Sequence, residues 1–129
     1  MSYALSTTVD KPYAETVEAV RAALGDQGFG VLTEIDMQAT LKKKLDVDIA
    51  PQVILGACRP PLAYQSLQAE PSIGLLLPCN VVVRETDDGT VVEAVDPQTM
   101  VQMTDNDGLQ AVADEAKQRL EKALASLSA

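Results

Sequence analysis

Two cysteines have the most distinctive chemistry in this chain. Cys58 lies in the segment Gly56-Ala57-Cys58-Arg59-Pro60-Pro61, and Cys79 lies in Leu77-Pro78-Cys79-Asn80. Two thiolates held close together could form a redox disulfide or bind a soft metal ion. The chain has no C-x-x-C motif, and two cysteines supply only half of a tetrahedral zinc site, although a second copy in a dimer could supply the rest. Packing is the simpler interpretation, because free cysteine is among the most buried residue types.

Two carboxylates and an amide form a second set of candidates. Glu34 and Asp36 are separated by one residue in a strand-like segment, so both side chains would share a face of the strand. Such a pair could hold a hard cation or share a proton. A solvated outer face is the simpler interpretation. Asn80 interrupts an apolar run, and leaving a buried amide without partners costs about 1–3 kcal/mol. We therefore expect Asn80 either to tie the Pro78 region to neighbouring backbone or to contact a ligand.

Composition argues against several kinds of site and partner. The chain has no histidine, which excludes a Ser-His-Asp or Cys-His site and a histidine-ligated metal within one copy. There is no dinucleotide or Walker motif, and we predict no cofactor. The net charge of −9, from 10 basic and 19 acidic residues, argues against nucleic acid and anionic membranes as partners. No apolar run approaches the ~20 residues of a membrane span.

The length and the N-terminal residues predict the domain count and the compartment. A chain of 129 residues has the size of one domain, so we predict a single domain over residues 1–129. The first residues, Met1-Ser2-Tyr3-Ala4, lack the basic start and apolar core of a signal peptide. Two cysteines without such a signal are typical of the reducing cytoplasm, so we expect a cytoplasmic protein without a structural disulfide.

Hydrophobic periodicity predicts five strands and two long helices. Alternation and short apolar runs indicate strands over residues 3–9, 29–37, 52–58, 73–85 and 90–95, with the fourth broken at Pro78. Apolar residues at helical spacing indicate long helices that end at Gly28 and run from 108 to 126, with shorter helices near 38–45 and 62–70. Residues 98–107 are predicted to be a loop or a short turn, and Asn106 or Asp107 to cap the last helix.

The segment Asp87-Asp88-Gly89 predicts a hairpin turn between the last two strands. If Asp88 and Gly89 form a two-residue loop, Arg84 lies opposite Glu93 and the two can form a cross-strand ion pair.

These elements predict an α+β fold with a five-stranded, mainly antiparallel sheet, two long helices on one face and two short inserted helices. The second face of the sheet would then be uncovered and partly apolar. We therefore expect a homodimer formed through that face.

Three segments together resemble a family of bacterial and archaeal proteins known as the domain of unknown function 302 family. They are Gly28-Phe29-Gly30-Val31-Leu32-Thr33-Glu34-Ile35-Asp36, Leu55-Gly56-Ala57-Cys58-Arg59-Pro60-Pro61 and the run from Glu70 to Val81. The resemblance covers residues 9–101. It implies a compact α+β domain of the β-α-β(4)-α type that forms a homodimer, and it implies no activity. The family pattern often has Asn after the first cysteine, where this chain has Arg59.

The sequence therefore predicts a small cytoplasmic domain that self-associates and binds a ligand, without demonstrated catalysis. The alternative is a thiol-dependent redox or metal-binding protein that uses Cys58 and Cys79. A third interpretation is a small-molecule pocket between sheet and helices that Glu34, Asp36 and Asn80 line.

Overall fold

All five strands form one antiparallel sheet in the computed structural model, which describes residues 2–128. The strand order is β1-β5-β4-β3-β2, and every neighbouring pair is antiparallel. The elements, in chain order, are β1 (Ala4–Val9), α1 (Tyr13–Asp26), β2 (Gly30–Asp36), α2 (Met37–Leu45), β3 (Gln52–Cys58), α3 (Pro60–Ala69), β4 (Cys79–Thr86), β5 (Gly89–Val95), α4 (Gln98–Thr104) and α5 (Gln110–Ser126). Short 3-10 helices span Pro71–Leu76 and Asp107–Leu109. The predicted α+β fold is confirmed.

The two long helices cover one face of the sheet, which we call the inner face. Alternation along β3, β4 and β5 turns every second side chain toward α1 and α5, and these inward residues are buried. The main core contains aliphatic side chains from the sheet and both helices: Val20, Leu24, Val53, Leu55, Val81, Val83, Val92, Leu120 and Leu124. Side chains that point to the opposite side, the outer face, are only partly buried, among them Ile54, Val82 and Val91.

A crossover connects the two edges of the sheet. β1 and β2 lie at opposite edges, and the four antiparallel steps between them make these two strands parallel. Helix α1 therefore runs across the inner face between them, as a connection between parallel strands requires. Gly28 ends this connection with φ of 83°, a left-handed conformation that favours glycine.

A bulge in β2 changes which residues share a face. The register shifts between Val31 and Thr33, so Val31 pairs with Ala57 on the inner side while Ile35 pairs with Ile54 on the outer side. The expectation that the strand alternates regularly from residue 29 to 37 is therefore wrong. The extra residue is Leu32, whose side chain is exposed.

The apolar run before β4 is not a strand. Residues 71–76 form a 3-10 helix that begins at Pro71, and the strand starts only at Cys79, after a cis peptide bond between Leu77 and Pro78. Leu75 is 87% exposed, so apolar composition did not imply burial here. The predicted strand over 73–85 is correct only in its second half, because proline cannot donate to a sheet ladder.

The hairpin has a different register from the predicted one, but the predicted ion pair forms. Thr86 pairs with Gly89, so Asp87 and Asp88 make the turn and Arg84 lies opposite Val91. Arg84 Nε nevertheless donates to Glu93 Oε1 at 3.0 Å, because the two side chains are diagonal neighbours on the outer face.

The region between β5 and α5 is more ordered than predicted. A seven-residue helix, α4, replaces the expected loop over 98–107. Asn106 precedes the final helical segment and its side chain accepts a hydrogen bond from the Gly108 amide at 2.8 Å, as predicted for a cap. Among residues 2–128 no helix combines the length and the apolar character that crossing a bilayer requires.

Candidate functional site

A small cavity lies at one end of the inner face, where β3 and β4 meet α3, α4 and α5. Its empty volume is about 330 Å³, counted out to the solvent at its mouth. Residues from several separate segments line it: Phe29, Ala57, Cys58, Arg59, Leu62, Ala63, Ser66, Leu77, Pro78, Cys79, Met100, Val112 and Ala116. We call it the cysteine cavity, because both cysteines of the chain are among its lining residues.

The sheet register brings the two cysteines together. β3 ends at Cys58 and β4 begins at Cys79, and Ala57 pairs directly with Cys79 across the two strands. Cys58 follows Ala57 in β3, so the two cysteines lie on adjacent strands, one position out of register. Both thiols are free and partly buried.

Burial makes Cys79 a poor nucleophile. Desolvation, and secondly the charge of Cys58, raise the pKa of Cys79 from 9.0 to about 11. The thiol is therefore protonated at neutral pH, whereas nucleophilic attack and metal binding both require the thiolate. The environment of Cys79 favours a neutral, apolar role in the wall of the cavity.

The other walls are apolar and their polar groups are satisfied. Ser66 is buried, and its hydroxyl donates to the Leu62 carbonyl at 2.8 Å. Across residues 2–128, no buried side-chain nitrogen or oxygen lacks a hydrogen-bond partner. The cavity therefore offers a ligand mainly van der Waals contact, with Arg59 as the charged residue in its lining.

Arg59, which borders the cavity, belongs to a cluster of three charged side chains. Its Nε donates to Glu115 Oε2 at 3.4 Å, and Arg119 Nε donates to the same oxygen at 2.9 Å. Arg119 Nη1 also donates to the Gln27 carbonyl at 3.1 Å. The hydrogen bond from Arg119 lowers the pKa of Glu115 most strongly; burial opposes it, and the hydrogen bond from Arg59 adds a smaller lowering.

A glycine makes room for the Arg59 guanidinium. A side-chain carbon on Gly28 would collide with Arg59 Nη1, so the guanidinium lies against bare backbone at the end of α1. Arg59 was noted only as the residue after Cys58, and Glu115 and Arg119 were not predicted to be site residues. Glu115 and Arg119 are four residues apart on a helix, and this spacing could have predicted their ion pair but not its contact with Arg59.

Glu34 and Asp36 do not line the cysteine cavity, and each has a structural partner. Arg21 Nη2 lies 2.6 Å from Glu34 Oε1, linking α1 to the edge strand β2. Asp36 caps α2, since its Oδ1 accepts a hydrogen bond from the Ala39 amide at 2.9 Å. Glu34, Asp36 and Asn80, the residues of the third interpretation, are not among those that line the cysteine cavity.

Asn80 lies on the outer face, away from the cysteine cavity. It is exposed, and it borders a shallow groove with Tyr3, Val82, Glu93 and Val95. The expectation of a buried amide is therefore wrong, because alternation turns Asn80 outward between the inward-facing Cys79 and Val81. Within the described chain, no group of three or more His, Cys, Asp or Glu side chains is arranged to hold a metal ion.

Comparison with known proteins identifies the family. The family model described as "Domain of unknown function DUF302" matches residues 5–127. The crystal structure of an uncharacterized conserved DUF302 protein from Bacillus stearothermophilus is similar, with a TM-score of 0.90 and 28% sequence identity over 97% of this chain and 98% of that one. No protein with a curated description matches. Because the model spans nearly the whole sequence, the chain belongs to the DUF302 family, as the three sequence segments predicted.

Proposed function

We propose that this domain binds a small, mainly apolar molecule in the cysteine cavity and acts as a self-associating binding module rather than as a catalyst. The observation that carries the proposal is the cavity itself, assembled from β3, β4, α3, α4 and α5 with apolar walls and satisfied polar groups. Ligand pockets in proteins are usually such preformed, mainly apolar concavities. The enclosed part of this space is only about 30 Å³, far below the usual size of ligand pockets, so the walls must move apart to admit a ligand of more than a few atoms.

The protonation of Cys79 favours binding over catalysis. A nucleophilic thiol needs a base or a cation that stabilises the thiolate, and the chain contains no histidine. Burial instead raises the pKa of Cys79 to about 11. The wall that contains this residue is therefore suited to apolar contact.

Filling the cavity tests the binding proposal. Ala63 lines the cavity on α3 and is only partly buried, so Ala63→Leu adds bulk to the cavity with little strain. We expect hexanol, a neutral apolar probe, to shift backbone amide resonances of cavity residues in the unmodified protein and much less in Ala63→Leu. The matched control is Ala111→Leu on the exposed face of α5. If hexanol does not shift the cavity resonances of the unmodified protein, the binding proposal is wrong.

The proposed self-association uses the outer face, and its occupant is a second copy of the chain. Apolar side chains from four neighbouring strands, Ile35, Ile54, Val82, Val91 and Val95, alternate outward there without being fully buried. Arg84 and Glu93 form an ion pair beside them, with side chains 40% and 32% exposed. An apolar surface with one positive and one negative group is self-complementary under two-fold symmetry, because each Arg84 can face the Glu93 of the other copy.

Charge also singles out this face. Each chain carries a net charge of −9, so two copies repel each other over most of their surfaces. Arg84 and Glu93 cancel on the outward side of β4 and β5, so contact through this face adds no like-charge repulsion at its centre. The dimer that the resemblance implies would thus bury the partly exposed apolar side chains of the outer face.

Val82→Lys tests the dimer. Val82 lies on the central strand β4, so a lysine there would place two positive charges inside the two-fold interface. We expect analytical ultracentrifugation to give a dimer for the unmodified protein at micromolar concentration and a monomer for Val82→Lys. Leu67→Lys, at a 44% exposed position on α3, is the control and stays dimeric. A monomeric unmodified protein would rule the proposal out.

A thiol site is the second candidate, because both cysteines line one cavity and the charge of Cys58 acts on Cys79. A native mass spectrum of the reduced protein tests it. An adduct with the mass of a soft metal ion that disappears in both Cys58→Ser and Cys79→Ser would establish this function. An adduct unaffected by either substitution would exclude the cysteines as ligands.

A further inference from the structure

β1 is an edge strand that lacks the features by which sheet edges usually avoid further pairing. It lies at one end of the strand order, and its residues Ala4–Val9 include no charged residue, proline or glycine. The other edge strand, β2, is interrupted by the bulge at Leu32 and carries Glu34 and Asp36. Charges, bulges and prolines protect an edge, so β1 is the edge that can accept another strand.

The hydrogen-bond pattern of β1 determines which of its backbone groups face outward. The Asp96 amide donates to the Tyr3 carbonyl at 2.8 Å, and these two residues are opposite each other in the ladder. In an antiparallel pair, every second residue bonds to the neighbouring strand. The odd-numbered residues of β1 therefore bond to β5, and Ala4, Ser6 and Thr8 direct their N–H and C=O groups to the outer edge.

A side chain already bonds to one of these three residues. The Ser2 hydroxyl donates to the Ala4 carbonyl at 3.2 Å and accepts a hydrogen bond from the Ala4 amide at 3.3 Å. Ser6 and Thr8 are exposed, and within residues 2–128 no such partner contacts their backbone groups. Two amides and two carbonyls are therefore available to an added strand.

An open groove runs beside this edge, between β1 and α5. Its volume is about 430 Å³. Residues 4–7 of β1 form one wall, and Glu121, Leu124 and Ala125, which share a face of α5, form the other. A strand added to β1 would lie along this groove and would turn every second side chain toward α5.

The groove carries a negative charge. Glu121 is the charged residue in its lining, it is exposed, and it forms none of the ion pairs within residues 2–128. The whole chain has a net charge of −9, which attracts cationic segments. The groove is therefore complementary to a strand that places a basic side chain beside Glu121 and apolar side chains beside Leu124.

The β1 strand of a second copy does not fit this edge. Neighbouring strands lie about 4.8 Å apart, whereas packed helices lie about 8–10 Å apart. Because α5 packs against β1 and forms the far wall of the groove, pairing two β1 strands would bring two α5 helices closer than helices pack. An extended segment without a helix over it avoids this collision.

We propose that β1 binds an extended, basic peptide segment of a partner protein as a sixth, antiparallel strand of the sheet. The segment exchanges backbone hydrogen bonds with Ser6 and Thr8. Its residues opposite these two point to the outer face, and the residues between them point to α5. The recognised segment therefore alternates polar residues with apolar ones and has a lysine or arginine among the residues that face α5. This surface is separate from the cysteine cavity, so the inference does not depend on the proposed ligand binding.

A capped heptapeptide with the sequence Thr-Val-Thr-Lys-Thr-Val-Thr tests the inference. It is titrated into isotopically labelled protein, and the amide resonances and hydrogen exchange of β1 are followed. We expect the amides of Ser6 and Thr8 to shift downfield and to exchange more slowly, because they gain hydrogen bonds. The amides of Leu5 and Thr7 already bond to β5 and should change little. An unmodified peptide that leaves the Ser6 and Thr8 amides unchanged would overturn the inference.

Methylation of the peptide backbone distinguishes strand pairing from adsorption. N-methylation of the two threonines that flank the lysine removes amides that face β1 in the antiparallel arrangement, so we expect the shifts to disappear. N-methylation of the lysine and of the valine after it removes amides that face away from β1, so we expect the shifts to remain. Shifts that both methylated peptides cause, or that only the first causes, would overturn antiparallel strand addition.

Ser6→Pro tests the same edge from the side of the protein. The Ser6 amide points away from β5, and proline is tolerated in edge strands where the N–H faces solvent. We expect the variant to keep the dispersed spectrum of the folded protein and to lose binding of the heptapeptide. Folded Ser6→Pro that binds as well as the unmodified protein would contradict the proposed pairing. The methylated peptides decide the pairing if this variant does not fold.

Charge reversal in the groove tests the preference for a basic segment. Glu121→Lys is expected to weaken binding of the heptapeptide about two- to fivefold, as an exposed ion pair contributes, and to strengthen binding of a version with glutamate in place of lysine. Glu18→Lys is the matched control, because it changes the net charge equally. Glu18 lies beside Arg21, which contacts β2 at the opposite edge of the sheet. Equal responses of the two variants would overturn the assignment of Glu121 to the basic side chain.

Discussion

Cys79 shows how a single side chain takes its chemistry from its surroundings. Its sequence neighbours, Pro78 and Asn80, gave no indication of its burial, because proline and asparagine are both common at the surface. The structure places it on the inner face at the start of β4, where desolvation and the nearby Cys58 raise its pKa to about 11. A residue that was a candidate nucleophile in the sequence is therefore a neutral wall group at neutral pH.

The raised pKa of Cys79 predicts a loss of stability in alkaline solution. The folded state holds this proton more tightly than the unfolded chain, so the contribution to stability is fully present below pH 9.0 and is lost as the pH rises through about 11. We expect the free energy of unfolding to fall over this range by about 2–3 kcal/mol more in the unmodified protein than in Cys79→Ala. Urea unfolding followed by circular dichroism at a series of pH values measures this difference.

Cys58→Ala is the control for that experiment. Because the charge of Cys58 is the smaller of the two causes, most of the alkaline loss persists in this variant. Parallel pH dependence in the unmodified protein and in Cys79→Ala would show that Cys79 is not the group responsible.

At the scale of elements, local patterns predicted regular structure well where neighbouring residues alone decide it. The strand over residues 52–58 has the predicted bounds, and the apolar stripe of the last helix is buried along its length. Long-range contacts decided the rest. The apolar run around Leu75 forms a 3-10 helix that buries Ile73 and exposes Leu75, and the bulge at Leu32 depends on the pairing of β2 with β3.

The candidate site was predictable only in part for the same reason. Cys58 and Cys79 line one cavity because their strands are adjacent. A joint thiol site depended on the two cysteines lying close together. The contact of Arg59 with Glu115 joins α5 to the residue before α3, and the two are 56 residues apart in the chain. No local pattern connects positions at that separation.

Asp36 and Glu34 allow a direct comparison of two carboxylates at one strand end. Asp36→Ala removes the cap of α2 and is expected to lower the free energy of unfolding by about 1 kcal/mol. Glu34→Ala removes only an ion pair whose carboxylate is 53% exposed, so we expect a change below about 0.5 kcal/mol. Thermal or urea unfolding of both variants measures the contrast.

Asp36→Asn is the matched control, because asparagine also caps helices and should restore stability. If both alanine variants unfold like the unmodified protein but lose binding of a calcium or magnesium ion, the structural assignment of the two carboxylates is wrong.

At the scale of the whole molecule, charge and shape act together on assembly. The chain has 19 acidic and 10 basic residues, and the outer face presents a balanced pair, Arg84 and Glu93, among apolar side chains. Long-range repulsion between two such chains is screened by salt, whereas apolar contact is not weakened by it. The association of two copies should therefore respond to ionic strength in a defined direction.

We expect the dimer dissociation constant to fall several-fold as sodium chloride rises from low to physiological concentration, because the like net charges of the two copies are screened. Sedimentation velocity at a series of protein and salt concentrations measures this change. Leu67→Lys reduces the net negative charge without touching the outer face, so its dimer should depend less on salt. Dissociation that increases with salt would indicate that ion pairs, and not apolar contacts, hold the two copies together.

The strand order also determines when the sheet can be completed during synthesis. β2, β3 and β4 each pair with the strand that follows them in the chain, so the meander from β2 to β5 can form as it leaves the ribosome. β1 is made first but has its only partner in β5, with Ala4 opposite Val95. The first strand to emerge is therefore the last to be joined, and the nascent chain carries it unpaired until three quarters of the protein has been translated.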